Sequence, residues 1–172
     1  MSFKVIGLGE VLWDLLPSGP QLGGAPANFA YHAHALGARA QVITRVGNDQ
    51  LGREILNRLE DMGLAVPTVQ LDEAAPTGTV TVALTGNGIP EFTIHEAVAW
   101  DRITATHSAL AAVREADAIC FGSLAQRGEI SRHAIQRLVA AAPAAAWRIF
   151  DINLRQHFYN REIIEQIGRA HV

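Results

Sequence analysis

Cysteine, lysine and aromatic side chains are scarce in this 172-residue sequence. The single cysteine, Cys120, rules out an internal disulfide framework and a zinc site built from cysteines. It fits a reducing compartment, so a cytoplasmic location is expected. Lys4 is the only lysine, and the 14 basic residues, set against 17 acidic ones for a net charge of −3, form no run. Nucleic acid or an anionic membrane calls for a basic stripe, so neither partner is expected. No apolar stretch approaches the roughly 18 residues of a membrane-crossing helix, and the first six residues read as a strand, not a targeting segment. No phosphate-binding G-x-x-x-x-G-K-[ST] loop occurs. The seven histidines never form H-E-x-x-H, and His32 and His34 stand two apart on different helix faces, so no metal site is expected.

What the sequence does hold is 49% hydrophobic residues and 15 glycines, enough apolar material for a buried core at a length that fits one domain. Residues 3–9 are a short apolar run bounded by glycine, the pattern of a buried strand. A helix is predicted over residues 25–36, opening on Pro26 and stopping at Gly37. A β-branched strand follows at 41–46, and Asp49 offers an N-cap for a helix over 50–62 with Leu51, Ile55 and Leu59 as its apolar stripe. Strand, helix, strand, helix implies parallel pairing. Residues 77–85 and 91–95 alternate as strands around Asn87 and Gly88, a hairpin turn signal, and are read as an antiparallel insertion. The α/β rhythm then resumes with a helix at 105–115, a strand at 117–121, a helix at 130–142, a strand at 147–152 and a last helix from Arg161.

In such a sheet, ligands bind beyond the carboxyl ends of the strands. Polar residues gather there: Glu10 and Asp14 after the first strand, Ser123 and Gln126 after the strand at Phe121, and Asp151, Asn153 and Arg155 after Phe150. A dinucleotide reading of Gly7 and Gly9 fails, because the third glycine would fall at Leu12 and the chain continues as strand. Gly23, Gly24, Ala25, Pro26, Ala27 and Asn28 are more informative. Paired glycines let a ligand approach the backbone, and Asn28 offers an amide near a helix N-terminus. With the Asp14 carboxylate, these groups suit a polyhydroxylated molecule, although a tight turn with an ordinary helix start has the same spelling. Trp13 and Trp100 read as packing residues, Cys120 as an inert core thiol, and Arg127 and Arg132 as solvated helix-end charges.

Residues 23–30, followed by Gly37 and Gly47, resemble the first signature of the ribokinase/fructokinase (PfkB) family of carbohydrate kinases, and Gly9-Glu10 with Asp14, Gly47–Asp49 with Gly52, Thr77–Thr79 and Asp151–Arg155 agree with its fructokinase-like branch. The resemblance implies a ribokinase-like α/β fold, a mostly parallel doubly wound sheet with a small antiparallel β-lid from about residues 11–22 and 77–98. It implies ATP and Mg²⁺ as cofactors and phosphoryl transfer to a sugar hydroxyl, with fructose or a related sugar as the small-molecule partner and a homodimer formed through the lid. Carried over, Asp14, Gly23, Gly24 and Asn28 match positions that hold sugar hydroxyls, Arg155 one near the sugar or its phosphoryl acceptor, and Phe92, Gln126 and Arg155 substrate-selecting positions. Asp151 and Asn153 fall on the nucleotide side.

The family's second signature, a Gly-Ala-Gly-Asp stretch carrying the catalytic aspartate, does not occur. Residues 1–166 are therefore expected to be the N-terminal part of a kinase domain, with the C-terminal half of the sheet missing, no catalytic residue of their own and no activity alone. Residues 167–172 break the preceding amphipathic pattern and are expected to be a non-native tail. The alternative is a naturally half-length protein that binds sugar or dimerises through its lid without catalysis.

Overall fold

The structure, a computed structural model, describes residues 2–84 and 90–169. The turn expected at Asn87 and Gly88 and the last three residues of the expected tail lie outside the described residues. In chain order the elements are β1 Lys4–Leu8, β2 Leu12–Leu16, β3 Gly19–Gly23, α1 Ala25–Ala35, β4 Arg39–Gly47, α2 Gln50–Asp61, β5 Val69–Asp72, β6 Thr79–Leu84, β7 Pro90–Ile94, α3 His107–Arg114, β8 Ala118–Gly122, α4 Glu129–Ala140, β9 Trp147–Asp151 and α5 Arg161–Arg169. Two short 3₁₀ turns, Ala99–Arg102 and Leu124–Gln126, join them. No helix among the described residues is long and apolar enough to cross a membrane.

Five strands pair in parallel in the order β5-β4-β1-β8-β9. Both faces of the central strands β4, β1 and β8 are covered, so they read as apolar runs and successive residues feed two cores. Val5, Val42 and Val46 meet Ala27 and Ala30 of α1 and Ile55 and Leu59 of α2. Ile6, Leu8, Ile43 and Ile119 meet Ala109 and Val113 of α3 and Ile135 and Leu138 of α4 on the other side. The ribokinase-like α/β fold expected from the sequence is thus the fold observed.

The second sheet differs from expectation. Its order is β3-β2-β6-β7; β2–β3 and β6–β7 are antiparallel, but the central β2–β6 pair is parallel, so the lid is mixed and not antiparallel. The two hairpin-like pairs arrive from separate stretches of chain, and each brings its strands to the join in the same direction. Strands β3 and β5 were not legible from periodicity. Both are edge strands that lack an apolar run: β3 is built on Gly19, Pro20 and Gly23, residues that signal a turn, β5 has only four residues with Gln70 and Asp72 among them, and the edge position tolerates Pro20. Helix α5 continues through Gly168 to Arg169, where the sequence had suggested a break at the glycine.

Two contacts fix the site. α1 descends so close to β1 that a Cβ on Gly7 would stand 2.1 Å from the Pro26 carbonyl oxygen. Asp49 caps α2 by accepting from the Gly52 N–H at 2.7 Å and ties that helix to the start of the lid by accepting from the Thr77 N–H and hydroxyl at 2.8 and 2.7 Å. Burial raises the Asp49 pKa, but these hydrogen bonds to Thr77 and Gly52 outweigh it and hold the carboxyl below its usual value.

Gly7→Ala is expected to lower the unfolding free energy by roughly 1–3 kcal/mol, the cost of overpacking against rigid backbone. Asp49→Ala should cost about 1–3 kcal/mol through the lost cap and the unpaired Thr77 groups. Urea denaturation checks both, and unchanged midpoints would contradict the two contacts.

Candidate sugar pocket

β1 sends the chain toward β4 on one side, while β8 pairs with it on the other, so the topology switches between β1 and β8. A crevice opens at such a point beyond the carboxyl ends of the strands. Here it is a cavity of about 520 Å³ with the lid sheet as its other wall. Of the nine residues singled out from the sequence, eight line it: Asp14, Gly23, Gly24, Asn28, Phe92, Asp151, Asn153 and Arg155.

Each arrives by local necessity. Asp14 sits on β2, where alternation turns it to the cavity while Trp13 is buried on the opposite side, its Nε1 donating to the Leu51 carbonyl at 3.1 Å. Gly24 precedes α1 with φ +115°, a conformation that disfavours any side chain, and a Cβ there would stand 2.4 Å from the Glu10 carbonyl oxygen. That tight passage brings Asn28, on the first turn of α1, to the rim. Phe92, on β7, is 50% exposed and supplies an apolar surface from the lid.

The turn after β9 is strained. Asn153 has φ +23°, its N–H donates to Asp151 Oδ1 at 3.0 Å, and Arg155 Nε donates to Asn153 Oδ1 at 2.8 Å. The Ser123 hydroxyl holds the Ile152 carbonyl. Three polar side chains are thereby presented in one short arc. Burial raises the Asp14 pKa, and the charge of Arg155 across the cavity opposes the rise.

Gln126 is the correction. After β8 the chain turns into the 3₁₀ segment, which swings the Gln126 side chain back onto the strand; it is 1% exposed and its Nε2 donates to the Gly122 carbonyl at 2.9 Å. Leu124 lines the cavity instead. Arg127 is likewise no solvated charge. It is 7% exposed, pairs with Asp101 at 2.7 Å and lies 3.9 Å over the Trp100 ring. The sequence reading also left out Val80 and Ile94, apolar residues of the lid wall, whose signal was the in-out alternation of their strands.

Glu10 emerges as the least ordinary residue of the cavity. Its side chain is fully buried and Oε2 has no hydrogen-bond partner. Burial pushes its pKa up to about 7, with the charge of Asp151 adding to the rise, while its own N–H, the Ala25 N–H and Arg127 act against it. An acid whose pKa rises from 4.5 to about 7 on folding leaves the folded state holding a proton that the unfolded chain has lost, so stability falls as pH rises between these values and is level above them. Glu10→Gln removes that slope. Relative to the native chain, the variant should gain about 3 kcal/mol of stability between pH 5 and pH 8, read from urea midpoints at the two pH values; an equal difference at both would contradict the buried, neutral carboxyl.

Against this geometry, the profile of the "pfkB family carbohydrate kinase" matches residues 20–171. A fructokinase of Escherichia coli is 33% identical over 168 residues, covering 94% of this chain and 54% of that protein, and one of Solanum tuberosum is 28% identical over 175 residues, covering 94% and 55%. The chain therefore spans about half the length of these relatives. An uncharacterized sugar kinase of Pyrococcus horikoshii, solved in complex with ATP, aligns with a TM-score of 0.80 at 28% identity over 97% of this chain and 58% of its own. A fructokinase of Vibrio cholerae, solved with fructose, ADP and calcium ion bound, aligns with a TM-score of 0.76 at 25% identity over 98% and 57%. On the match over residues 20–171 and the fructokinase relatives, the chain belongs to the pfkB family of carbohydrate kinases and is fructokinase-like.

Proposed function

We propose that this chain supplies the sugar-binding part of an ATP-dependent sugar kinase that transfers the γ-phosphoryl of ATP to a hydroxyl of fructose or a related sugar. The observation that carries the reading is the convergence of Asp14, Gly23, Gly24, Asn28 and Arg155 on one cavity under the lid. A sugar hydroxyl needs both a donor and an acceptor. The Asp14 carboxylate accepts, the glycine N–H groups at the start of α1 donate, and the Asn28 amide does both. Phe92 covers the apolar side of the ring, and Arg155 brings positive charge to the side where the phosphoryl arrives. Asp151 and Asn153 face the nucleotide. The fructose-bound relative from Vibrio cholerae and the ATP complex from Pyrococcus horikoshii support a sugar and ATP as the ligands.

Transfer of this kind depends on alignment and on neutralising charge, and a lid that excludes water protects the phosphoryl from hydrolysis. Mg²⁺ would supply the charge neutralisation between the phosphates. Among the described residues no group of three or more His, Cys, Asp or Glu side chains is set to hold a metal, and the Asp151 and Asn153 side chains are engaged within their own turn, so they do not amount to a complete nucleotide–metal site. With no Gly-Ala-Gly-Asp stretch to supply a base, the chain alone binds sugar and does not phosphorylate it. The same reading takes residues 1–166 as part of one kinase domain, residues 167–172 as a non-native tail, the lid with exposed Leu15 as a dimer surface, and the cytoplasm as its location.

Calorimetric titration with fructose tests the binding. Asp14→Ala and Asn28→Ala should each weaken it roughly five- to hundredfold, the range for a buried polar partner left unpaired. No heat with fructose or a related ketose would overturn the reading. In a coupled assay with fructose, ATP and Mg²⁺ no ADP is expected, and formation of sugar phosphate would overturn the inactivity of the chain.

A further inference from the structure

Helix α1 begins without a cap of its own. Its N-cap is Gly24, no side chain caps it, and its first turn holds no acidic residue. Pro26 has no N–H, but Gly24 and Ala25 line the cavity, where a helix N-terminus favours negative charge. The Ala25 N–H favours the charged form of Glu10, whose carboxyl reaches it from just beyond the end of β1. Glu10 is 1% exposed, lines the cavity, and has one oxygen with no partner. Its backbone carbonyl is also the atom against which Gly24 is packed. A buried carboxyl in this position stands in one of two states, and each presents a different face to the turn. As a carboxylate it complements the N–H groups. As an acid it donates a proton and leaves them freer for another acceptor.

We propose that Glu10 is a proton-linked positioning residue of the pocket: its carboxyl sets the N-terminal turn of α1 that carries Gly24 and Asn28, and a neutral hydroxylated ligand is bound with uptake of a proton by this group. The first half stands on the geometry of the ligand-free chain, and the second rests on the sugar-pocket reading. The uptake follows from desolvation, because a ligand that displaces cavity water further disfavours the charged form.

The groups facing Glu10 permit this. Asp151 at the end of β9 opposes its ionisation and Arg127, past the 124–126 turn, favours it. Cys120 on β8 is pushed up to about 12 by burial and stays neutral. Asp14 and Arg155 lie on the same cavity. On α1 the titratable residues are Tyr31, His32 and His34, all in its C-terminal half.

Amide NMR of the ¹⁵N-labelled chain between about pH 5.5 and 8.5 tests the first half. The Gly24, Ala25 and Asn28 amides should shift with a common midpoint at about 7, and Glu10→Gln should abolish that step. A flat response in the native chain, or the same step in the variant, overturns the proposal. Should Glu10→Gln not fold, the side-chain carboxyl carbon of Glu10 in the native chain, ¹³C-labelled at glutamate, reads the same midpoint. Fructose titrations at pH 6 and pH 8 test the second half: affinity should be higher at pH 6, by up to about tenfold for each unit by which fructose raises the midpoint, and independent of pH in the variant. Fructose binding that is equal at both pH values in the native chain overturns the proton uptake. A step that persists with no fructose binding at any pH overturns the sugar reading and leaves Glu10 as the positioning residue of α1.

Discussion

The close approach of β1 to the first turn of α1 is the constraint from which the pocket follows. With no side chain at Gly7, the Pro26 carbonyl can lie against the strand, and with Gly24 at a positive φ the chain can pass over the Glu10 carbonyl into the helix. The helix N-terminus is thereby delivered to the end of β1, at the switch between β1 and β8, where the sheet leaves a crevice. Larger residues at either glycine would lift α1 away. Asn28 would then lose its position on the rim, and Ala27 and Ala30 their packing on the sheet.

The lid is held at its base, and its far strand is tied to Gln156, whose Oε1 accepts from the Ile94 N–H at 3.2 Å and whose Nε2 donates to the Phe92 carbonyl at 3.3 Å. Asp49 binds Thr77 at the lid's entry, Trp13 donates to Leu51, and Trp13 pairs across from Thr79 where β2 meets β6. These contacts link the second sheet to α2 and hence to the main sheet. Toward β7 the residues become exposed, Phe92 half so, while Val80 and Ile94 still turn inward and close the cavity wall.

Electrostatics divides the cavity. Asp14 is partly buried and Arg155 exposed, so solvent moderates their charges. Glu10 is fully buried, and burial outweighs the N–H groups beside it and holds a proton at pH values that leave ordinary carboxyls ionised. The fold tolerates this unfavourable burial in a location where the cavity, the helix terminus and the strand end meet, which is where perturbed acids concentrate.

Much of this was legible in the order of the residues. Glycine and proline positions marked the ends of α1, apolar runs marked the buried strands, and eight of the nine candidate residues were recognisable because strand ends and a glycine turn are local features. Gln126 was misjudged because a 3₁₀ turn rotates it by an amount no periodicity records, and Arg127 because its partners, Asp101, Trp100 and Phe158, come from distant stretches of chain. The parallel join of β2 to β6 had no local signal either, since register and direction between separate hairpins depend on how both dock on the main sheet. The sequence by itself determined the elements, the two apolar faces and the chemical types gathered at the strand ends. Only the tertiary structure decided which of those groups share a cavity and that Glu10 is buried there with an oxygen unpaired, because burial and desolvation are properties of what the rest of the chain packs around a residue.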